Sequence, residues 1–202
     1  MLQPRAPLAH ARVLAAFEAA ADAFLRTVGG VREWESTALG EWNVRELVAH
    51  TLRAYTTIET YLAASPSVDA ELEDATSYYR VVLAPAGIHA GVAERGREAG
   101  RALIDPVPQS HEMVERVLTV VRATPADQSV EMFAGRMVFT EYLATRTIEV
   151  GLHTLDLQSA TGQEPGLPED VTRLCLDVLL PLADDVDLLR AVTGRGTLNV
   201  LG

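Results

Sequence analysis

The sequence predicts an all-α fold, a bundle of four main helices with additional helices at the C-terminal end, and three observations predict it. Apolar residues recur at spacings of three and four over long stretches, and Pro or Gly breakers separate those stretches. Only the segment between Thr124 and Val138 carries a short β-like pattern. The chain has 202 residues, 48% of them apolar, which supplies a sizeable core for one domain or a domain with a small appendage.

Taken in order, residues Leu8 to Val28 carry Leu14, Phe17, Ala21, Phe24 and Val28 on one helical face and close at Gly29-Gly30. Val31 to Glu41 lacks a period and reads as a connector, with Trp34 covering the end of the core. A second helix starts at Asn43, which can cap it while Glu46 reaches back, and runs to about Ala64. His50 borders its buried face. Glu71 to Leu103 is helical in composition but broken at Ala84-Pro85, with Ile88, Val92, Ala99 and Leu103 as the expected core line. Asp105 to Pro108 reads as a breaker, after which Ser110 is expected to cap a helix through about Ala123, with Met113, Val117, Val120 and Val121 inward. The runs SVEMF and RMVF around Ala134-Gly135 suit a small hairpin or an irregular loop.

A long helix then begins at Phe139 or Thr140 and ends at Gly162, well placed as a left-handed cap. Leu167-Pro168-Glu169-Asp170 opens another helix, with Val171, Leu174, Cys175, Val178 and Leu179 apolar and Pro181 a kink or end. Asp184 to Val192 adds a short one. The expected organisation is a bundle over residues 1–165 and a short helical extension, 166–202, packed on it.

The formal charge of -11 comes from 28 acidic and 17 basic residues, every basic one an arginine. Such a balance argues against nucleic acid as a partner, because no basic patch would hold phosphates, and the absence of lysine excludes Schiff-base catalysis by that residue. Cys175 is the only cysteine, so one chain has no disulfide framework and no multi-thiolate metal site. The apolar N-terminal stretch is interrupted by His10, Arg12, Glu18 and Asp22, an amphipathic helix rather than a signal peptide or membrane span. A cytoplasmic protein without membrane association is expected, and an apolar-rich bundle suits a homodimer. No Gly-rich phosphate loop and no Gly-x-Ser-x-Gly is present; Cys175 among leucines reads as a small core residue, and His10, His89 and His111 as surface residues.

The helix from Thr140 to Gly162 has an unusual pattern. At roughly 100° per residue, Tyr142, Arg146, Glu149, His153 and Asp156 form one polar stripe flanked by leucine, isoleucine and valine. Thr147, Gly151, Thr154 and Gln158 lie opposite and are expected to face solvent. The stripe should therefore face inward, where ionisable groups are costly unless paired or metal-bound. Glu149 and His153 stand four residues apart on one face, and His50 completes a set of two imidazoles and a carboxylate. These donors suit Zn, Ni, Fe or Mn and leave coordination positions open. Asp156 is placed to orient an imidazole, and Arg146 to bind a carboxylate of a substrate or thiol cofactor. A plain Glu149-His153 ion pair, with His50 separate, fits the same spacing.

Trp42-Asn43-Val44-x-Glu46-Leu47-x-x-His50, followed far downstream by Arg146-x-x-Glu149-x-x-x-His153-x-x-Asp156-Leu157, resembles the mycothiol-dependent maleylpyruvate isomerase family. That family belongs to the DinB-like metal-binding four-helix bundles. The resemblance implies that His50, Glu149 and His153 are the metal ligands, typically for zinc, and that the partners are a small thiol such as mycothiol and an electrophilic substrate. The implied activity is thiol transfer or thiol-assisted isomerisation. The other reading is a metal-stabilised binding or stress-response protein without turnover.

Overall fold

A computed structural model describes residues 7–64, 69–83 and 92–201, with side chains from residue 96 onward in the last of these segments. In chain order the elements are α1 (His10–Gly29), β1 (Thr37–Leu39), β2 (Trp42–Asn43), α2 (Val44–Ala64), α3 (Ala75–Val82), α4 (Val92–Ala102), α5 (Pro106–Ala123), β3 (Ser129–Met132), β4 (Gly135–Val138), α6 (Phe139–Ala160), α7 (Glu169–Leu179) and α8 (Asp185–Val192). A single 3-10 turn, Leu180–Leu182, joins the last two helices. Helices α1, α2, α5 and α6 form the four-helix bundle: α1 packs on α5 and α6, and α2 packs on α5 and α6. Helix α4 lies on α2, α7 lies against α1 and α6, and α8 buries none of its residues. No helix among the described residues is long and apolar enough to cross a membrane.

The spacing that predicts α1 is the spacing that is buried, with Phe17, Ala21, Phe24 and Val28 in the core and Leu14 half-buried beside it. Helix α2 begins with the reciprocal cap expected from the sequence. The Asn43 side-chain oxygen accepts from the Glu46 backbone N–H at 2.9 Å, and the Glu46 carboxylate accepts from the Asn43 backbone N–H at 2.9 Å. The expected hairpin is β3 paired antiparallel with β4, turning at Gly135 with φ of +123°. Gly162 closes α6 with φ of +66°, a left-handed conformation that costs glycine little.

Helix α5 starts four residues before the expected Ser110 cap, at Pro106, and Ser110 is buried inside it. The prolines do not break the helix, because N–H groups in a first turn have no partner within the helix and proline lacks only that group. Its buried line accordingly runs through Val114, Val117 and Val121, while Met113 and Val120, also expected inward, are half-buried. Leu103 of the preceding core line is buried, whereas Ile88 and the Val92 side chain lie outside the described positions.

The central correction concerns α6. Thr147, Gly151, Thr154 and Gln158, expected on the solvent side, are all buried. The two threonines satisfy their hydroxyls by donating to carbonyls one turn back, Thr147 to Leu143 at 2.9 Å and Thr154 to Val150 at 2.7 Å. The Gln158 amide donates to Thr27 and to the Gly166 carbonyl and accepts from the Gly166 N–H. Gly151 lets α7 close in, since a Cβ there would stand 3.1 Å from Val171. A polar back face can thus be an interior face when every group on it is locally satisfied.

Candidate functional site

Helices α2 and α6 run antiparallel along the site. At one end the Tyr142 hydroxyl donates to Thr57 Oγ1 at 3.3 Å, and at the other the His50 and His153 rings meet with centroids 5.0 Å apart and planes at 76°. The α6 stripe therefore faces α2 across a cavity of about 500 Å³ that His50, Glu149 and His153 line at one end. It opens to solvent rather than to the packed centre: the Glu149 and His153 side chains are 33% and 16% exposed. The cost that the sequence pattern raises for these ionisable groups is reduced by their partial exposure and by one another.

His50, Glu149 and His153 each offer a ligand atom, and those atoms all lie within 4.8 Å of one another. His153 Nε2 is 3.7 Å from the Glu149 carboxylate, while its Nδ1 is 3.1 Å from Asp156. With the Nδ1 proton directed at Asp156, Nε2 turns its lone pair to the cluster. The His50 ring stacks on Trp42, centroids 4.4 Å apart and tilted by 37°. Trp42 is held in turn by α4, whose Gly96 leaves no room for a side chain: a Cβ would fall 2.7 Å from the indole. Two imidazoles and a carboxylate, converging on an open space with both histidines buttressed from behind, fit a divalent transition metal.

Arg146 is placed one turn before Glu149 but forms no ion pair with it. Its Nη2 donates to the Tyr78 hydroxyl at 3.0 Å and its Nε to Thr145 Oγ1 at 3.1 Å. The guanidinium carbon lies 5.6 Å from the centre of the Tyr78 ring and 5.3 Å from that of Tyr142, within cation–π range of both. Burial works against the Arg146 charge, but Tyr78, Tyr142 and the Glu149 carboxylate outweigh it and raise its pKa above the ordinary arginine value. Burial also pushes the Tyr142 hydroxyl up to about 12 and raises that of Tyr78, so both remain protonated at neutral pH.

The cavity includes residues that the helix-by-helix reading of the sequence did not single out. Arg53 of α2, Tyr78 of α3, and Met132 with Phe133 at the β3–β4 turn complete its walls. Arg53 carries a signal that was available, since it falls one turn after His50; Tyr78 and Phe133 reach the site only through tertiary packing. Of the histidines expected at the surface, His111 is exposed, but His10 is half-buried with its Nδ1 2.9 Å from Thr140 Oγ1. His89 lies outside the described residues. Cys175 is 7% exposed in the core and is not among the residues that line the cavity.

A family model described as the mycothiol maleylpyruvate isomerase N-terminal domain matches residues 14–158, which span the bundle and both motifs. The chain belongs to this family. No curated protein and no solved structure matches it.

Proposed function

We propose that this member of the mycothiol maleylpyruvate isomerase N-terminal domain family is a metal-dependent enzyme that uses a low-molecular-weight thiol. Mycothiol is the thiol that the family suggests, in either thiol transfer to an electrophile or thiol-assisted isomerisation. The observation that carries the reading is the convergence of His50, Glu149 and His153 at the end of a cavity large enough for a small molecule. In this proposal those three residues hold the ion, zinc first among Zn, Ni, Fe and Mn.

A divalent ion held there supplies a Lewis-acid position that favours a thiolate over its thiol at neutral pH. The protein's own contribution is positional. Asp156 fixes the His153 tautomer, Trp42 sets the plane of His50, and Arg146 stands ready for an anionic group further along the cavity. The Tyr142 and Tyr78 rings and Met132 supply an apolar wall along the cavity for the body of a substrate.

The test is to purify the protein without chelator, measure its metal content, and assay conjugation of a panel of electrophiles with and without mycothiol. Metal-dependent, thiol-dependent turnover that disappears in Glu149→Gln supports the reading. A stoichiometric metal with no turnover across the panel overturns the enzymatic part and leaves a metal-stapled binding protein.

A further inference from the structure

One exposed aromatic ring stands at the edge of the cavity. Of the large apolar side chains that the described residues leave to solvent, Ile104 and Val192 among them, Phe133 is the one that lines the cavity, and it does so while 60% exposed. Apolar rings are ordinarily stabilised by leaving water, and this one forgoes much of that. The turn does not account for it. Phe133 and Ala134 are the two residues that join Met132 of β3 to Gly135 of β4, and two-residue hairpin turns favour Asn, Asp and Gly at those positions. The rest of the hairpin is tied down. Val130, Met132 and Met137 are buried, the Arg136 carbonyl accepts from the N–H groups of Glu71 and Leu72 at 2.9 and 2.7 Å, and the Arg136 guanidinium pairs with Glu71. A fixed frame thus carries the Phe133 ring to the rim of the cavity, edge-on to Tyr78 with centroids 6.4 Å apart.

The cavity is long as well as open. Tyr61 stands eleven residues after His50 on α2, and Tyr142 eleven residues before His153 on α6, which is about 16 Å along each helix. The imidazoles meet at one end, and the Tyr61 and Tyr142 rings meet at the other with centroids 6.0 Å apart. A ligand whose reacting atoms lie at His50, Glu149 and His153 therefore has room for a body along Tyr78, Tyr142 and Phe133. We propose that Phe133 determines specificity for that body. Its ring packs on a flat, uncharged aromatic or unsaturated group and leaves water together with it, so that ligands carrying such a group are selected over small or wholly polar ones. The inference rests on the proposed function only for which molecule brings the body, the electrophile rather than the polar thiol; the contact itself needs no metal.

The experiment is fluorescence titration of N-phenyl-1-naphthylamine, an uncharged aromatic probe whose emission rises in apolar surroundings. It is titrated into the full chain and into Phe133→Ala, Phe133→Tyr and Ile104→Ala, with metal content measured in each preparation. Phe133→Ala should weaken binding by about tenfold, and Phe133→Tyr, which keeps the ring, should stay within about twofold. Ile104→Ala, at a more exposed apolar residue that does not line this cavity, should leave binding unchanged. Because the ring is largely in water, Phe133→Ala should melt with the wild type; if it does not, Phe133→Leu, apolar but not flat, takes its place. Three results overturn the proposal: no binding to the wild type, binding indifferent to Phe133, or an equal loss in Ile104→Ala, which marks general apolar adsorption. Ring-dependent binding to a chain that takes up no metal supports the proposal and sinks the metal reading. Metal-dependent thiol turnover in a protein whose probe binding ignores Phe133 does the reverse.

Discussion

The Asp156 carboxylate lies 3.1 Å from Nδ1 of His153, on the opposite side of the ring from the Nε2 that faces Glu149. This turns Nε2 toward the cluster proposed to hold a metal, and the interaction leaves His50, Glu149 and His153 Nε2 untouched. Replacing Asp156 with Asn weakens an orienting hydrogen bond and lowers imidazole basicity. Metal affinity, measured by competition with a chromophoric chelator, should fall by about 10- to 100-fold. Unchanged affinity would show that the ring is oriented by packing alone.

Metal removal should be visible in stability. A ligand bound only by the folded chain and present at about a hundred times its Kd contributes about 2.7 kcal/mol, so stripping it with a chelator should lower the Tm by about 5–10 °C for a chain of this size. His50→Ala should melt at the same temperature with or without chelator. A chelator effect that persists in that variant would place the metal elsewhere.

Gly96→Ala tests the support behind His50. A helical glycine replaced by alanine ordinarily gains about 1 kcal/mol. Here the new methyl would meet the Trp42 indole at 2.7 Å, and overpacking of that kind costs about 1–3 kcal/mol. The clash should win, so the variant should melt lower than the wild type. Because Trp42 stacks on His50, it should also show altered tryptophan fluorescence and weaker metal binding. A more stable variant with unaltered emission would mean that Trp42 has room the packing does not suggest.

Burial pushes the Cys175 thiol up to about 11. Compared with an ordinary cysteine its thiolate fraction near neutral pH is about a hundredfold lower. Alkylation by iodoacetamide should therefore be slow in the native protein, accelerate with rising pH, and become fast in urea. Cys175→Ala should leave thiol-dependent turnover unaffected, which would exclude this residue as a nucleophile; a loss of turnover with the fold intact would assign it one.

Much of the site was legible because its parts are local. Glu149 and His153 share a helical face by spacing alone, Asn43 and Glu46 announce the helix that carries His50, and Gly162 marks where α6 stops. The faces of α6 were less legible. Threonine and glutamine count as solvent-facing residues in a periodicity argument, but a threonine hydroxyl can satisfy itself on the carbonyl one turn back, and Gln158 can replace water with Thr27 and Gly166. The start of α5 was hidden for a related reason: prolines read as breakers are harmless in a first turn. Tyr78 and Phe133 could not be placed by any local rule, since α3 and the hairpin reach the cavity through contacts distant in sequence.

Helix α6 packs against α1, α2 and α7, and the Arg146, Glu149 and His153 part of its stripe lines the cavity. Each of its faces is therefore already committed, three to neighbouring helices and one to the donor set. Such a helix has little freedom to vary among relatives without losing either stability or ligands. Diversification of what the cavity accepts would fall to its other walls, the α2 side chains beyond His50, the edge of α3 and the hairpin turn at Phe133. A mutational library confined to those walls should shift ligand preference while keeping the fold, whereas one of equal size on α6 should yield mostly inactive or unfolded variants.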